Sequence, residues 1–356
     1  MKLFHIDTSS RKNNFDFIRF VAASFVIFSH SYGLSIGNNN HEPLWLLSRG
    51  QLLIGTLSVI VFFVISGFLI TQSFVNKPDP KSYFRSRVLR IYPALIVIVL
   101  LTVFLIGPIF TTITLKNYFL NLHTYLYLLN MLIPLSMNQI LPGVFSNNAW
   151  APDLNGSLWT IFFEFLCYIM IGLLGAIKQL NRRNLIILLC IDFLLSQLPF
   201  GIFHGYFIGR TITYSRYFLV GTLIYMYKDK FILNNYLAIV SVIALCLSLY
   251  AGFFNDAFIV FGSYLVIYLA FIPNKSIVNF AKYGDFSYGL YIIAYPVQQS
   301  IIFLFGGKMN HWTNFIIAYP IILFLSVASW HLIEKQCLKF KSQSPIRTIQ
   351  NLGLFQ

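Results

Sequence analysis

Ten apolar runs of roughly membrane-spanning length recur along this chain, and that recurrence leaves few folds open. A helix needs about 20 mostly apolar residues to cross a bilayer. Such runs lie near 16–36, 53–74, 91–112, 157–177, 184–202, 208–227, 236–253, 257–272, 285–306 and 312–333 of the 356 residues. The eighth is short, which little tilt or a locally thinned bilayer accommodates. The chain is 57% hydrophobic and only 10% charged, whereas a soluble domain carries about a quarter charged residues. The expectation is an all-α, polytopic integral membrane protein with about ten transmembrane helices. A single membrane domain would occupy 1–340, followed by a short basic tail over 341–356 and no appended soluble domain.

Lys and Arg collect in the cytosolic loops of membrane proteins, so the loops orient the spans. With ten spans, most of the 25 basic residues fall on one side: Lys2 to Lys12, Lys77 to Arg90, Lys178 to Arg183, Lys228 and Lys230, Lys275 and Lys282, and the tail from Lys335. Arg49, Lys116, Arg210 and Lys308 fall opposite, and Arg19 and Arg216 lie within spans. Both termini are then cytosolic. The segment NYFLNLHTYLYLLNMLIPL at 117–135 is too polar to be an easy span, and counting it would place the later basic clusters outside. It reads instead as an interfacial or re-entrant helix within a long external stretch, 113–156, with Trp150 and Trp159 suited to the membrane boundary.

The net charge of +14 has the same explanation. It forms no basic face and accompanies no nucleic-acid-binding signature, so nucleic acid is not an expected partner. Cys167, Cys190, Cys246 and Cys337 show neither zinc spacing nor a disulfide framework. The first apolar run contains Asp16, Arg19 and His30 and no small-residue cleavage pattern, so it reads as a retained span. Nucleotide-binding Gly-rich loops, His-Glu-x-x-His zinc motifs and nucleophile elbows are missing from the sequence.

Ionisable residues inside the apolar runs carry the functional signal, because each costs several kcal/mol unless paired or wetted. Arg19 and His30 are eleven residues apart. On a helix that spacing puts them on one face, separated by about 16 Å along the axis. They therefore suggest a lined passage, although a snorkelling Arg and a structurally bonded His are the plainer alternative. Arg87 and Arg90 stand three apart at the mouth of the third span, a fork suited to phosphate or an ordinary positive-inside anchor. Glu164, five residues after Trp159 and one turn before Tyr168, has open partners: His30, Arg216, a sugar hydroxyl or a structural bond. Asp192 has no evident partner and reads as structural. Ser66-Gly67 reads as a close-approach site between helices.

Taken together, these segments resemble the acyltransferase-3 family of bacterial membrane acyltransferases, which mostly O-acetylate cell-surface glycans. NFDFIRFVAASFVIFSHSYG resembles the family's opening segment at Arg19 and His30. VIVFFVISGFLIT resembles its second-span signature, FRSRVLRIYP its Arg-x-x-Arg element at Arg87 and Arg90, and NGSLWTIFFEFLCY its Trp-to-Glu signature at Trp159 and Glu164. YFLVGTLI, FSYGLYIIAYPVQQ and WHLIEK resemble late-chain elements. Two departures stand out. Many members have a His where this chain has Ala294, and some carry an extracytoplasmic hydrolase-like domain.

The resemblance implies a cytosolic acyl-CoA donor, acetyl-CoA being the commonest case, and a saccharide acceptor such as O-antigen, capsule or exopolysaccharide. The protein would sit in the lipid of the bacterial inner membrane with no permanently bound cofactor and no metal. Arg19, Arg87 and Arg90 would hold the donor, and Trp159, Arg216, Tyr288 and Tyr291 would contact substrate. His30 would act as general base, or as an acyl relay, with Glu164 orienting it. A transporter or flippase of a small anion or glycan precursor explains the spans and buried charges, as does a scaffold or polymerase. Neither accounts for the combined motifs.

Overall fold

The computed structural model describes residues 4–8, 13–132, 139–150, 153–197, 206–274, 277–278 and 280–342. Among the described residues, ten long helical segments overlap the ten apolar runs, positions 198–202 of the fifth run lying outside the described residues: α1 Phe15–Ile36, α2 Ile54–Asn76, α3 Pro80–Leu101, α4 Trp159–Ala176, α5 Arg182–Gln197, α6 Tyr206–Met226, α7 Asn235–Ala251, α8 Phe254–Phe271, α9 Ser287–Leu304 and α10 His311–Ser329. Six of them, with their helical continuations, are long and apolar enough to cross a membrane: α1, α2, α3 extended to Phe110, α4, α8, and α10 extended to Lys341. Of the other four, α5 and α7 are short, and α6 and α9 carry more polar side chains. The regular structure of the described part is helical apart from a two-residue strand pair, Phe4–His5 against Ile232–Leu233, and an isolated bridge between Thr111 and Val144.

Local sequence sets the helix ends. Asp79 accepts a hydrogen bond from the Ser82 backbone N–H at 3.0 Å while Pro80 occupies the first turn of α3. There the missing N–H costs nothing. Asn234 and Asn310 cap α7 and α10 in the same way. The stretch read as interfacial or re-entrant is broken into short helices, Leu115–Leu120, Leu122–Leu126 and Tyr127–Met131. Asn121 ends the first and caps the second by accepting from the His123 N–H at 2.9 Å. No continuous eleventh helix forms among its described residues.

α2 is the central element, and it packs against α6 through glycines. A Cβ at Gly67 would lie 2.0 Å from the Phe218 carbonyl oxygen, and one at Gly221 would lie 2.1 Å from that of Val64. Each glycine thus admits the other helix's backbone, and Thr71 donates to Thr222 across the seam at 3.1 Å. Lipid offers no hydrophobic driving force for helix association, so close backbone packing and interhelical hydrogen bonds take over. Buried amides do the same for α1, α9 and α10. Gln298 donates to the Ile27 carbonyl at 3.0 Å and to Asn314 at 2.9 Å.

Candidate functional site

α1, α2, α3, α4 and α9 enclose a cavity of about 540 Å³ that contains Arg19, Arg87, Arg90, Glu164, Asp285 and Tyr288. Lys341, beyond the end of α10, also lines it. The Arg-x-x-Arg spacing brings Arg87 and Arg90 to one side of α3, as the sequence predicts, but the two cations are unequal. Arg90 donates to Asp285 at 2.5 Å, lies 3.6 Å from the Glu334 carboxylate and rests over the Trp330 ring. Arg19 pairs with Asp16 and lies 3.3 Å from the same Asp285 carboxylate. Arg87 makes a long contact to Ser73 at 3.4 Å and lies over the Tyr83 ring, and its buried Nε has no hydrogen-bond partner among the described residues. A half-buried guanidinium with a buried, unused Nε–H is suited to an anionic ligand.

Glu164 lines this cavity, and among the open pairings the structure selects hydroxyl groups. Ser66 and Tyr168 both donate to its Oε1 at 2.5 Å. Ser66-Gly67 therefore has two uses. Gly67 lets α6 approach, as expected, and Ser66 holds the carboxylate. Tyr288 donates its hydroxyl to the Ile91 carbonyl at 2.8 Å, tying α9 to α3.

His30 lines a second cavity, of about 290 Å³, with Trp150, Asp153, Trp159, Arg210, Tyr214 and Tyr295 among its walls. Its ring meets Tyr295 edge to face, with centroids 5.3 Å apart, and its buried Nδ1 has no hydrogen-bond partner among the described residues. Trp150, expected as a boundary anchor, and Trp159, expected both as an anchor and as a substrate contact, line this cavity. The Trp159 ring lies between Tyr214 at 5.4 Å and the Arg210 guanidinium at 4.0 Å. α9 draws in the loop that carries Trp150 and Asp153, because the Gln299 amide donates to both of their carbonyls, at 2.8 and 2.9 Å.

Three residues line both cavities: Val59, Thr160 and Tyr291. Thr160 and Tyr291 join their hydroxyls at 2.6 Å. Arg19 and His30 thus share a helix but open into adjoining cavities, with a shared wall between them.

Arg216 does not join this arrangement. Its Nε donates to Asp192 at 2.8 Å, and Ser215 donates to the same carboxylate at 2.8 Å. The expected substrate contact is instead half of an α5–α6 ion pair, and Asp192, which had no evident partner in the sequence, is the other half. Both charges lie among apolar segments, and pairing is what lets each stay there. Asp285 and Glu334 in the basic region, and Thr160 and Tyr295 beside His30, are site residues that sequence reasoning missed. Asp285 sits just before α9, and Glu334 closes a π-helical turn, Trp330–Glu334, inside the WHLIEK run. The excess of buried arginines over assigned carboxylates was the available signal.

The Acyltransferase domain of acyltransferase-3 type matches residues 12–333, nearly the whole chain. The chain belongs to the acyltransferase-3 family. This acyltransferase is 29% identical over 337 residues to the O-acetyl transferase of Shigella phage Sf6, covering 92% of this chain and 96% of that one. It is 28% identical over 372 residues to Nodulation protein 10 of Rhizobium leguminosarum bv. viciae, covering 96% and 97%. No solved structure matches it significantly. Membership and the apolar helices together make it a multi-pass membrane acyltransferase.

Proposed function

We propose that this acyltransferase moves an acetyl group from cytosolic acetyl-CoA to a hydroxyl of a cell-envelope or exported saccharide. It would do so in the bacterial inner membrane, with both termini cytosolic. The reading is carried by one observation: a cavity rich in arginine and a cavity containing His30 meet at a common wall.

The basic cavity takes the donor. Arg87 offers unused guanidinium donors to a CoA phosphate, a geometry a lysine would not match. Arg90 and Arg19, bridged by Asp285, add a fixed positive frame. The pantetheine arm then runs along α1 towards the wall, bringing the thioester to the His30 side. The second cavity takes the acceptor, since aromatic walls with a few placed polar groups suit a sugar ring.

At the wall the acceptor oxygen attacks the thioester carbonyl carbon. A C–O bond forms as the C–S bond breaks. His30 takes the hydroxyl proton and returns it to the departing thiolate, leaving an ester and CoA. Glu164, held by Ser66 and Tyr168 in the donor cavity, serves the thioester end of the arm and does not orient His30 by direct contact. Ala294 leaves no imidazole at the position where many members have one, so His30 carries the proton alone in this scheme.

The test is replacement of His30 by Gln, with mass spectrometry of surface polysaccharide and a parallel measure of protein level. Acylation should disappear while the protein persists. Unchanged acylation would remove His30 from the reaction, and no acylation even with the intact protein would favour a transporter.

A further inference from the structure

The wall between the cavities supplies more than separation. Along three helices the change from one cavity to the other occurs at one level. On α2, Gly55 and Thr56 line the His30 cavity, Val59 lines both, and Phe62 and Ser66 line the basic one. On α4 the order is Trp159, Thr160, Glu164, and on α9, running the other way, it is Tyr288, Tyr291, Tyr295. Tyr295, which packs on His30, is one turn beyond Tyr291. Residues four apart lie on one helix face, so Tyr291 and Tyr295 present neighbouring positions.

A donor from one cavity and an acceptor from the other meet only at this level. The reacting carbonyl therefore lies against Val59, Thr160 and Tyr291, of which only the last two are polar. Thr160 donates its own proton to the Ser157 carbonyl at 3.2 Å. Either hydroxyl can donate in the 2.6 Å contact, and with the Thr160 proton engaged by Ser157 the phenol is the donor to Thr160. The phenol O–H can rotate about its C–O bond onto an arriving carbonyl oxygen. Thr160 can then turn its own O–H to the phenol oxygen, which strengthens the outer bond.

We propose that the Tyr291 hydroxyl, held ready by Thr160, donates a hydrogen bond to the thioester carbonyl oxygen and stabilises the negative charge formed there as the acceptor adds. This rests on the acyl-transfer reading and assigns Tyr291 a catalytic contact. When the acceptor oxygen bonds to carbon, the carbonyl electron pair moves onto oxygen, where Tyr291 meets it. The pair returns as the C–S bond breaks, and the proton passes through His30 to sulfur. No further reactant is required.

Removing one donor of this kind lowers kcat by roughly 100-fold or more. Tyr291→Phe keeps the ring and removes only the hydroxyl. In purified protein with acetyl-CoA and an acceptor saccharide, kcat should fall by about that factor. The KM for acetyl-CoA and inhibition by free CoA, which has no carbonyl, should change by less than about threefold. Full kcat, or an equal loss of CoA affinity, overturns the assignment. If Tyr291→Phe does not fold, Thr160→Ser and Thr160→Val carry the test. Serine should retain turnover and valine lose it, and equal turnover in the two overturns the proposal. A wild-type protein without acetyl transfer would refute the functional reading itself. An active wild type indifferent to both substitutions would refute only the role of Tyr291.

Discussion

Asp285 accepts a hydrogen bond from Arg90 at 2.5 Å, joining the start of α9 to the N-terminal half of α3. The same carboxylate faces Arg19 on α1, so one anion compensates two largely buried cations. Ser287 also donates to it at 2.6 Å, fixing its direction. Breaking such a buried pair by removing one partner costs about 3–5 kcal/mol, because the other charge stays behind. Asp285→Asn should therefore lower the melting temperature in detergent markedly. It should also increase stabilisation by acetyl-CoA, because Arg19 and Arg90 become available to phosphate. A melting temperature equal to wild type would show that the arginines do not need this anion.

Arg87 and Arg216 provide a contrast between a binding and a structural cation. Arg87→Ala should abolish the rise in melting temperature produced by saturating acetyl-CoA, since a ligand stabilises by binding the native state. Arg216→Ala leaves Asp192 unpaired among apolar helices. It should lower stability while the remaining folded protein keeps its response to acetyl-CoA. The reverse pattern in thermal-shift titrations would exchange their roles.

Glu164 holds two hydroxyls, and its conservative and severe substitutions should separate. Glu164→Gln retains an oxygen to accept from Ser66 and Tyr168, so melting should change by less than about 1 kcal/mol equivalent. Glu164→Ala strands both donors in a buried site, at about 1–3 kcal/mol each. If glycan acetylation is lost in Gln as well as Ala, the negative charge itself matters to the donor end of the reaction. Full acetylation with Gln would confine Glu164 to hydrogen bonding.

The α2–α6 seam predicts which glycines tolerate a methyl group. Gly67→Ala drives a Cβ into the Phe218 backbone, and a backbone obstacle cannot rotate away. Overpacking of this type costs about 1–3 kcal/mol, and the variant should lose yield and melting temperature. Gly252 ends α7 with φ +94° and nothing within 4 Å of a built Cβ. There the penalty is conformational alone, about 1 kcal/mol. Equal melting temperatures for the two alanine variants would refute the close packing of α2 and α6.

Much of the architecture was legible in one dimension. Apolar run length alone pointed to the long helices of the described residues, six of which are long and apolar enough to span, because each helix satisfies its own backbone hydrogen bonds and needs no distant partner. The break at Asn121 and the Asp79-Pro80 start of α3 are local as well, although run length did not mark them. Arg-x-x-Arg spacing placed Arg87 and Arg90 in one cavity, since three residues along a helix is a short-range relation.

Pairings between helices were beyond the same reading. Glu164 had His30, Arg216, a sugar hydroxyl or a structural bond open to it and took Ser66 and Tyr168. Arg216 met Asp192, and Asp285 met two arginines from helices far away in the chain. Hydropathy records which residues avoid water and says nothing about which buried charge answers which. The order of residues by itself determined the helices and the turn-to-turn alignment of Arg19 with His30. Only the packed bundle decided that these two side chains open into separate cavities meeting at Val59, Thr160 and Tyr291, because that depends on how close the neighbouring backbones come.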